Sequence, residues 1–368
     1  MLRLSRVIHE GLAAHPDDQR LREARLALWR GQANDAYWHG VFGGCYLPHL
    51  RRAVKSALLT AERLEGQAGG RRAWCTRDDV NGDGLPEILL GTPELSLTLH
   101  PERGGTLTEI GFQPRALDVA DVLTRRPEAY HEQVKASGAA GHGVRTIHDA
   151  RPAKEAGLDA LLAYDRFRRA SLLDGLFPAG DALDPVEPWA RAHQALGDAS
   201  MASRIATEAD RASASLSVDR PNGYPCSVQK TVSVGGARID VQYRVRWFGD
   251  EPFDGRWAVQ WNLALTAGDA SGRYLRLANR PALRSRGGVE GLYAISLVDE
   301  WIGVEIGVEW VEPAHVGWGP VETVSISEGG FERIYQGTAL LITWPLRIAR
   351  GQEWAQRVTL TLAATPPA

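Results

Sequence analysis

Strict alternation of apolar and polar residues constrains this chain more than any other feature. Ile239, Val241, Tyr243, Val245 and Trp247 share one face of an extended segment. Trp257, Val259, Trp261, Leu263 and Leu265 repeat the pattern, as do Ile302, Val304, Ile306, Val308 and Trp310, and Val358, Leu360 and Leu362 close the chain. Successive side chains of a strand point to opposite faces, so a period of two marks strands with one buried side. An earlier run, Leu95, Leu97 and Leu99, leads through Arg103-Gly104-Gly105 into Leu107 and Ile110. Gly, Asp and Pro turns separate the runs. The pattern predicts a large antiparallel β-sandwich over residues 71–368, longer than a single immunoglobulin-like domain, with one face of each sheet buried.

The first 70 residues keep a different period. Leu4, Val7, Ile8 and Leu12 have helical spacing. Pro16, Asp17 and Asp18 mark a new helix start, and Leu21, Ala24 and Leu28 extend its apolar face. Pro48 opens a third helix, whose stripe of Leu50, Val54, Ala57, Leu58, Ala61 and Leu64 ends at Gly66. The fold class is therefore α+β, mainly β: a helical hairpin or bundle (1–70), then the sandwich. Few partners for the helical stripes exist within this segment, so it is expected to pack on something else.

The 368 residues carry a net charge of −3 and 44% hydrophobic content, which gives no footprint of a nucleic-acid or membrane partner. Cys45, Cys75 and Cys226 are scattered and odd in number, which argues for reduced thiols and a cytoplasmic location. The N-terminus lacks an apolar signal-peptide core, and no run is long enough to span a bilayer.

Residues 32–52, QANDAYWHGVFGGCYLPHLRR, concentrate the polar chemistry. Trp38 and Tyr37 offer faces for the C–H surface of a sugar ring, while Gln32, Asn34, Asp35 and His39 offer partners for its hydroxyls. On a helix, Gln32, Asp35 and His39 would share one face. The other reading is a helix end in which the polar residues cap and the aromatics fill core.

This stretch resembles glycoside hydrolase family 57, the α-amylases and 4-α-glucanotransferases, which read close to QCNDAYWHG there; Ala33 replaces the usual Cys. DVLTRRPEAYHE (121–132), the segment 143–177 and SISEGGFERIYQGTALLITWPL (325–346) are similar to further family elements, so the likeness covers nearly the whole chain. It implies a galactose-mutarotase-like sandwich and a glucan site partly lined by Gln32, Asn34, Asp35, Trp38 and His39. Family enzymes retain configuration through two carboxylates about 5–5.5 Å apart. The resemblance places both on a barrel upstream of residue 32, so no catalytic residue is assigned and a separate barrel chain is an expected partner, with an α-glucan or maltooligosaccharide as ligand. A stand-alone α-glucan-binding module is the alternative, and a mutarotase-like enzyme using His131 and His148 is a third reading.

DVNGDGLPE (79–87) spaces Asp79, Asn81, Asp83, the Leu85 carbonyl and Glu87 at alternate positions around Gly84. Such oxygen spacing suits a structural Ca²⁺, though not an EF-hand, since Leu90 stands where a bidentate Glu is needed. A polar turn between strands is the alternative. Residues 132–142 are expected as a mobile loop and 178–200 as a long connection with a helical turn at 188–196. Tyr130, His131, His148, Asp149, Lys154 and Glu155 form a cluster that faces a glucan or builds an interdomain ion-pair network. Glu328, Glu332, Tyr335 and Gln336 read as a hairpin end. Phosphate-loop, GxSxG and dinucleotide motifs are missing, so no organic cofactor is expected.

Overall fold

In the computed structural model, which describes residues 1–39, 43–139, 153–187, 196–327 and 329–367, the chain opens with three helices. They are α1 (Leu2–Ala14), α2 (Gln19–Arg30) and α3 (Pro48–Ala68). The Asp18 carboxylate accepts the Leu21 N–H at 3.0 Å and caps α2 at its positive end. Pro48 sits in the first turn of α3, where its missing N–H costs nothing. That helix runs past Gly66 to Ala68, since one glycine in a helix costs only about 1 kcal/mol. Leu4, Ile8, Ala24, Ala27, Leu28 and Ala61 make the small helical core.

Two antiparallel sheets follow. The smaller holds β1 (Trp74–Asp78), β2 (Glu87–Gly91), β3 (Leu95–His100), β4 (Thr106–Phe112) and β5 (Leu117–Asp118), paired in chain order. The larger is built from β6 (Leu173–Pro178), β7 (Ala202–Thr207), β8 (Ala212–Asp219), β9 (Cys226–Gly235), β10 (Arg238–Trp247), β11 (Phe253–Leu263), β12 (Arg273–Leu275), β13 (Gly287–Asp299), β14 (Val304–Ser327), β15 (Gly330–Ile348) and β16 (Glu353–Ala364). Its order is β6-β11-β15-β14-β16-β10-β9-β8-β7, with β13 also paired to β14 and β12 to β13. One apolar core joins the sheets, taking Leu97, Leu99 and Ile110 from the smaller and Val241, Trp257, Trp261 and Trp344 from the larger. The expected sandwich is therefore present.

Alternation holds in β10, where exposed Gln242, Arg244 and Arg246 interleave with buried Tyr243, Val245 and Trp247. The expectation of one buried face fails in β11, where Ala258, Gln260 and Asn262 are buried as well as Trp257, Val259 and Trp261, and again in the smaller sheet. Every residue of β2 and β3 is buried. Helix α3 covers the second face so closely that a Cβ on Gly111 would lie 2.4 Å from Leu59. Polar Ser96 thus meets a helix, not water: Gln113 reaches from its hydroxyl (3.4 Å) to Glu62 of α3 (3.1 Å).

Of the segment expected as a mobile loop, residues 140–142 lie outside the described residues, and 132–139 belong to helix α4 (His131–Ala139). Val134 gives it an anchor, packed with Leu158, Val324 and Phe331, that small and polar composition conceals. The helical turn expected at 188–196 falls almost wholly outside the described residues. Among those residues, no helix is long and apolar enough to cross a membrane.

Candidate functional site

Gly31 closes α2, so residues 32–39 do not continue as a regular helix. Asn34–Tyr37 form one 3-10 turn, and Trp38 is extended. The shared helical face expected for Gln32, Asp35 and His39 is consequently not formed. A close approach fixes the loop instead. The Cys45 N–H donates to the Trp38 carbonyl at 2.9 Å. Gly44, at φ +51, passes so near that a Cβ would lie 2.2 Å from that oxygen.

Gln32, Asn34 and Asp35 are exposed, and Tyr37 and Trp38 stand 49% and 51% in water. Tyr37 is held by donating to the Gly31 carbonyl at 2.6 Å. His39 lies deeper. Its ring stacks on Tyr130 at 4.9 Å and meets Tyr46 edge-on at 5.2 Å. Burial lowers its pKa, keeping the imidazole neutral, and its Nε2 is buried without a hydrogen-bond partner. Tyr46 donates to Glu128 at 2.5 Å, and Tyr130 to the Val324 carbonyl at 3.2 Å. The sequence reading singled out Tyr130 for a different cluster and missed Tyr46 and Glu128; the segments that hold them were visible only as family elements.

Arg51 fastens this site to the sandwich. It donates to Asp121 (3.0 Å), the Cys45 carbonyl (2.6 Å) and Gln336 (2.9 Å). Gln336, on β15, donates in turn to the Tyr46 carbonyl (2.9 Å) and to Thr323 (2.8 Å). Nearby, Lys154 pairs with Glu332 (2.5 Å) and Arg333 with Glu155 (3.1 Å). His131 Nδ1 accepts the Glu128 N–H at 3.2 Å. Lys154 and Glu155 thus form ion pairs, but within the sandwich and not as the interdomain network expected. His148, Asp149 and Glu328 lie outside the described residues.

Beside the site, a cavity of about 530 Å³ separates α1 and α3 from the smaller sheet, with Tyr37, Lys55, Glu62, Trp74, Glu109 and Asp121 on its walls. Lys55 bridges Glu109 (2.9 Å) and Asp118 (3.1 Å). Burial alone would lower its pKa, but those carboxylates raise it, so the amine stays charged.

In the 79–87 loop, Asp79 accepts the N–H groups of Gly82 (2.8 Å), Asp83 (3.2 Å) and Gly84 (2.9 Å), and Asp83 accepts that of Leu85 (2.9 Å). Hydrogen bonding to Leu85 lowers the Asp83 pKa. Glu87 points inward, 2% exposed, and accepts from the Val80 N–H (2.9 Å) and the Asn81 amide (2.7 Å). Asp79, Asn81, Asp83 and Leu85 therefore share the outer loop, while Glu87 braces it from beneath. No group of three or more His, Cys, Asp or Glu converges as a metal cluster among the described residues.

Two family profiles match the chain: "Alpha-amylase/4-alpha-glucanotransferase, C-terminal" over residues 79–358, and the corresponding "middle domain" over residues 1–65. Alpha-amylase 1 of Dictyoglomus thermophilum is 31% identical over 92% of this chain and 49% of its own length. The 4-alpha-glucanotransferase of Thermococcus kodakarensis is 30% identical over 88% of this chain and 46% of its own. In the crystal structure of 4-alpha-glucanotransferase from Thermococcus litoralis, 49% of that chain superposes on 97% of this one, at TM-score 0.68 and 24% identity. The chain spans about half the length of the curated relatives it matches.

Proposed function

Because this chain belongs to the α-amylase/4-α-glucanotransferase family, glycoside hydrolase family 57, and matches its middle and C-terminal portions, we propose that it completes an α-glucan-acting enzyme together with a catalytic barrel. The helical segment (1–70) docks the barrel, and the sandwich (71–368) holds that segment in place. One observation carries this reading. Leu2, Leu26, Trp29, Tyr37 and Trp38 leave exposed apolar surface on the helical segment, beside the sugar-suited Gln32, Asn34 and Asp35. Trp38 stacks on a glucose ring, Gln32, Asn34 and Asp35 bond its hydroxyls, and the unpartnered Nε2 of neutral His39 supplies one more hydrogen bond. Glycosyl transfer with retention then falls to the barrel's carboxylates.

A structural Ca²⁺ in the 79–87 loop belongs to the same proposal. Carboxylate, amide and carbonyl oxygens of Asp79, Asp83, Asn81 and Leu85 are the hard donors this ion prefers, and Glu87 holds the loop's shape. The ion would supply cross-linking charge and no step of the reaction. Unpaired Cys45, Cys75 and Cys226 support placing the chain in a reducing cytoplasm.

The deciding experiment mixes the chain with the N-terminal half of the Dictyoglomus thermophilum relative. Complex formation is followed by gel filtration, maltoheptaose binding by titration calorimetry with and without EDTA, and sugar release by assay. A complex that turns over maltoheptaose supports the proposal. Turnover by this chain alone overturns it. Binding of maltoheptaose without any complex favours the stand-alone module, a reading supported by Trp301 and Tyr293, exposed on the sandwich. Unchanged behaviour and melting in EDTA rejects the calcium.

A further inference from the structure

A second cavity, of about 260 Å³, opens where the chain enters β6, joined to His39 through the ring contacts of Tyr164, His131 and Tyr130. Its wall carries the guanidinium groups of Arg125, Arg166, Arg168 and Arg169, against the carboxylates of Asp165 and Glu187. Asp165 is shared: Arg125 donates to it at 2.7 Å, and Arg169 at 2.6 and 2.9 Å. One buried carboxylate is thus shared by two buried guanidiniums, leaving one positive charge uncompensated at depth. Glu187 offsets this only from the half-exposed rim, at 3.3 Å from Arg125.

Arg169 is 6% exposed. Its Nε and Nη2 are spent on Asp165 and the Val186 carbonyl, but its Nη1 is buried and has no hydrogen-bond partner. Arg166 stands at the exposed rim, loosely paired with Asp198 at 3.6 Å, and Arg168 is exposed beside it. The positive field also reaches inward: burial first, then the charges of Arg168 and Arg103, hold His100 down at about 4.

We propose that this cavity binds a phosphate group, as inorganic phosphate or as the phosphate monoester of a sugar. A wall of four guanidiniums set against two carboxylates matches tetrahedral oxyanions better than a neutral hydroxyl. The volume lies near the small end of ligand sites, enough for a phosphate with one ring attached. Tyr164, 44% exposed at the mouth, offers that ring a stacking face.

The test titrates the intact chain with sodium phosphate, glucose 1-phosphate and maltose, each against sodium chloride of matched ionic strength, by calorimetry and thermal melting. Saturable binding of phosphate and glucose 1-phosphate, with none of maltose above the chloride control, is expected. Tighter binding of the sugar ester would assign the Tyr164 face to the ring, and equal binding would assign recognition to phosphate alone. Arg168→Gln and Arg166→Gln, both at the rim, should each weaken binding about tenfold with melting unchanged. Arg169→Lys should abolish it. Since that variant also disturbs a buried network, the rim pair keeps the proposal testable if Arg169→Lys fails to fold. Absence of saturation by either phosphate compound, or unaltered affinity in the rim double variant, would overturn the assignment.

Discussion

The helical segment and the sandwich handle apolar surface in opposite ways. The sandwich hides much of its aromatic bulk, with Trp257 and Trp261 fully buried and Trp344 2% exposed, and leaves Trp301 and Tyr293 outside. The helical segment leaves Leu2 74% exposed and Trp29 51% exposed, around a core of a few small and medium residues. Buried apolar area stabilises folding at roughly 25 cal/mol per Å², so most of the stabilising burial lies in the sandwich, to which the helices are joined through α3 and Arg51. The contrast teaches where substitutions can separate stability from the recognition proposed for the helical half.

The largest effect is expected deep in the sandwich. Lys230, fully buried on β9, lies 2.5 Å from Asp174 and donates to the carbonyls of Gly104 and Gly105, both at 2.9 Å. Tyr243 donates to the same carboxylate at 3.0 Å. Lys230→Met leaves Asp174 as an unpaired buried charge, which costs about 3–5 kcal/mol. Urea unfolding should show this as a lower midpoint at constant slope. Replacing both partners with apolar residues should recover most of the loss. A midpoint that barely moves in the single variant would show that the sandwich tolerates damage as the helical surface does.

A smaller effect sits on β3, in the sheet both halves share. His100 Nε2 is 2.8 Å from the Thr108 hydroxyl, and Nδ1 is 3.2 Å from Glu87. Burial, reinforced by Arg168 and Arg103, lowers its pKa from 6.5 to about 4. Between those values the unfolded chain binds the proton and the folded chain does not. The stability held by neutral His100 is therefore complete above pH 6.5 and is lost as pH falls through 4. At 1.36 kcal/mol per unit, the loss approaches about 3 kcal/mol. The advantage of wild type over His100→Gln should shrink by up to that amount between pH 7 and pH 4 in urea titrations. A constant gap would mean that His100 is as open to water as the helical surface.

Sequence pattern exposed one half of this contrast better than the other. Strand β10 was legible because its apolar and polar residues alternate strictly, and Asp18 and Pro48 mark helix starts through purely local chemistry. The second buried face of β2 and β3 was not legible, because its cover, α3, is remote in sequence and alternation cannot tell a helix from water. Residues 32–39 announced their chemistry but not their shape. The approach of Gly44 to the Trp38 carbonyl overrides helical spacing, and the rings that bury His39 come from Tyr46 and Tyr130. Arg125, Asp165 and Arg169 are far apart or unremarkable as a string, and only folding lets one carboxylate serve two guanidiniums.

The smallest stability effect should come from the most exposed aromatics, and it bears most directly on the proposed function. Trp29 lies in the cation–π range of Arg25 (5.1 Å), and Trp38 is half in water. Trp29→Ala and Trp38→Ala should each change unfolding free energy by no more than about 0.5 kcal/mol. If the helical face is a docking surface, the same variants should weaken association with a barrel partner about tenfold or more, as truncated aromatic anchors do. Trp38→Ala should also weaken maltoheptaose binding by the completed enzyme, whereas Trp29→Ala, on helix α2 and outside the 32–39 loop, should spare it. Measured side by side, unfolding, association and binding separate three roles. A stability loss of several kcal/mol in both variants would place these rings in the fold itself and remove the main reason for treating the helical segment as a surface made to be covered.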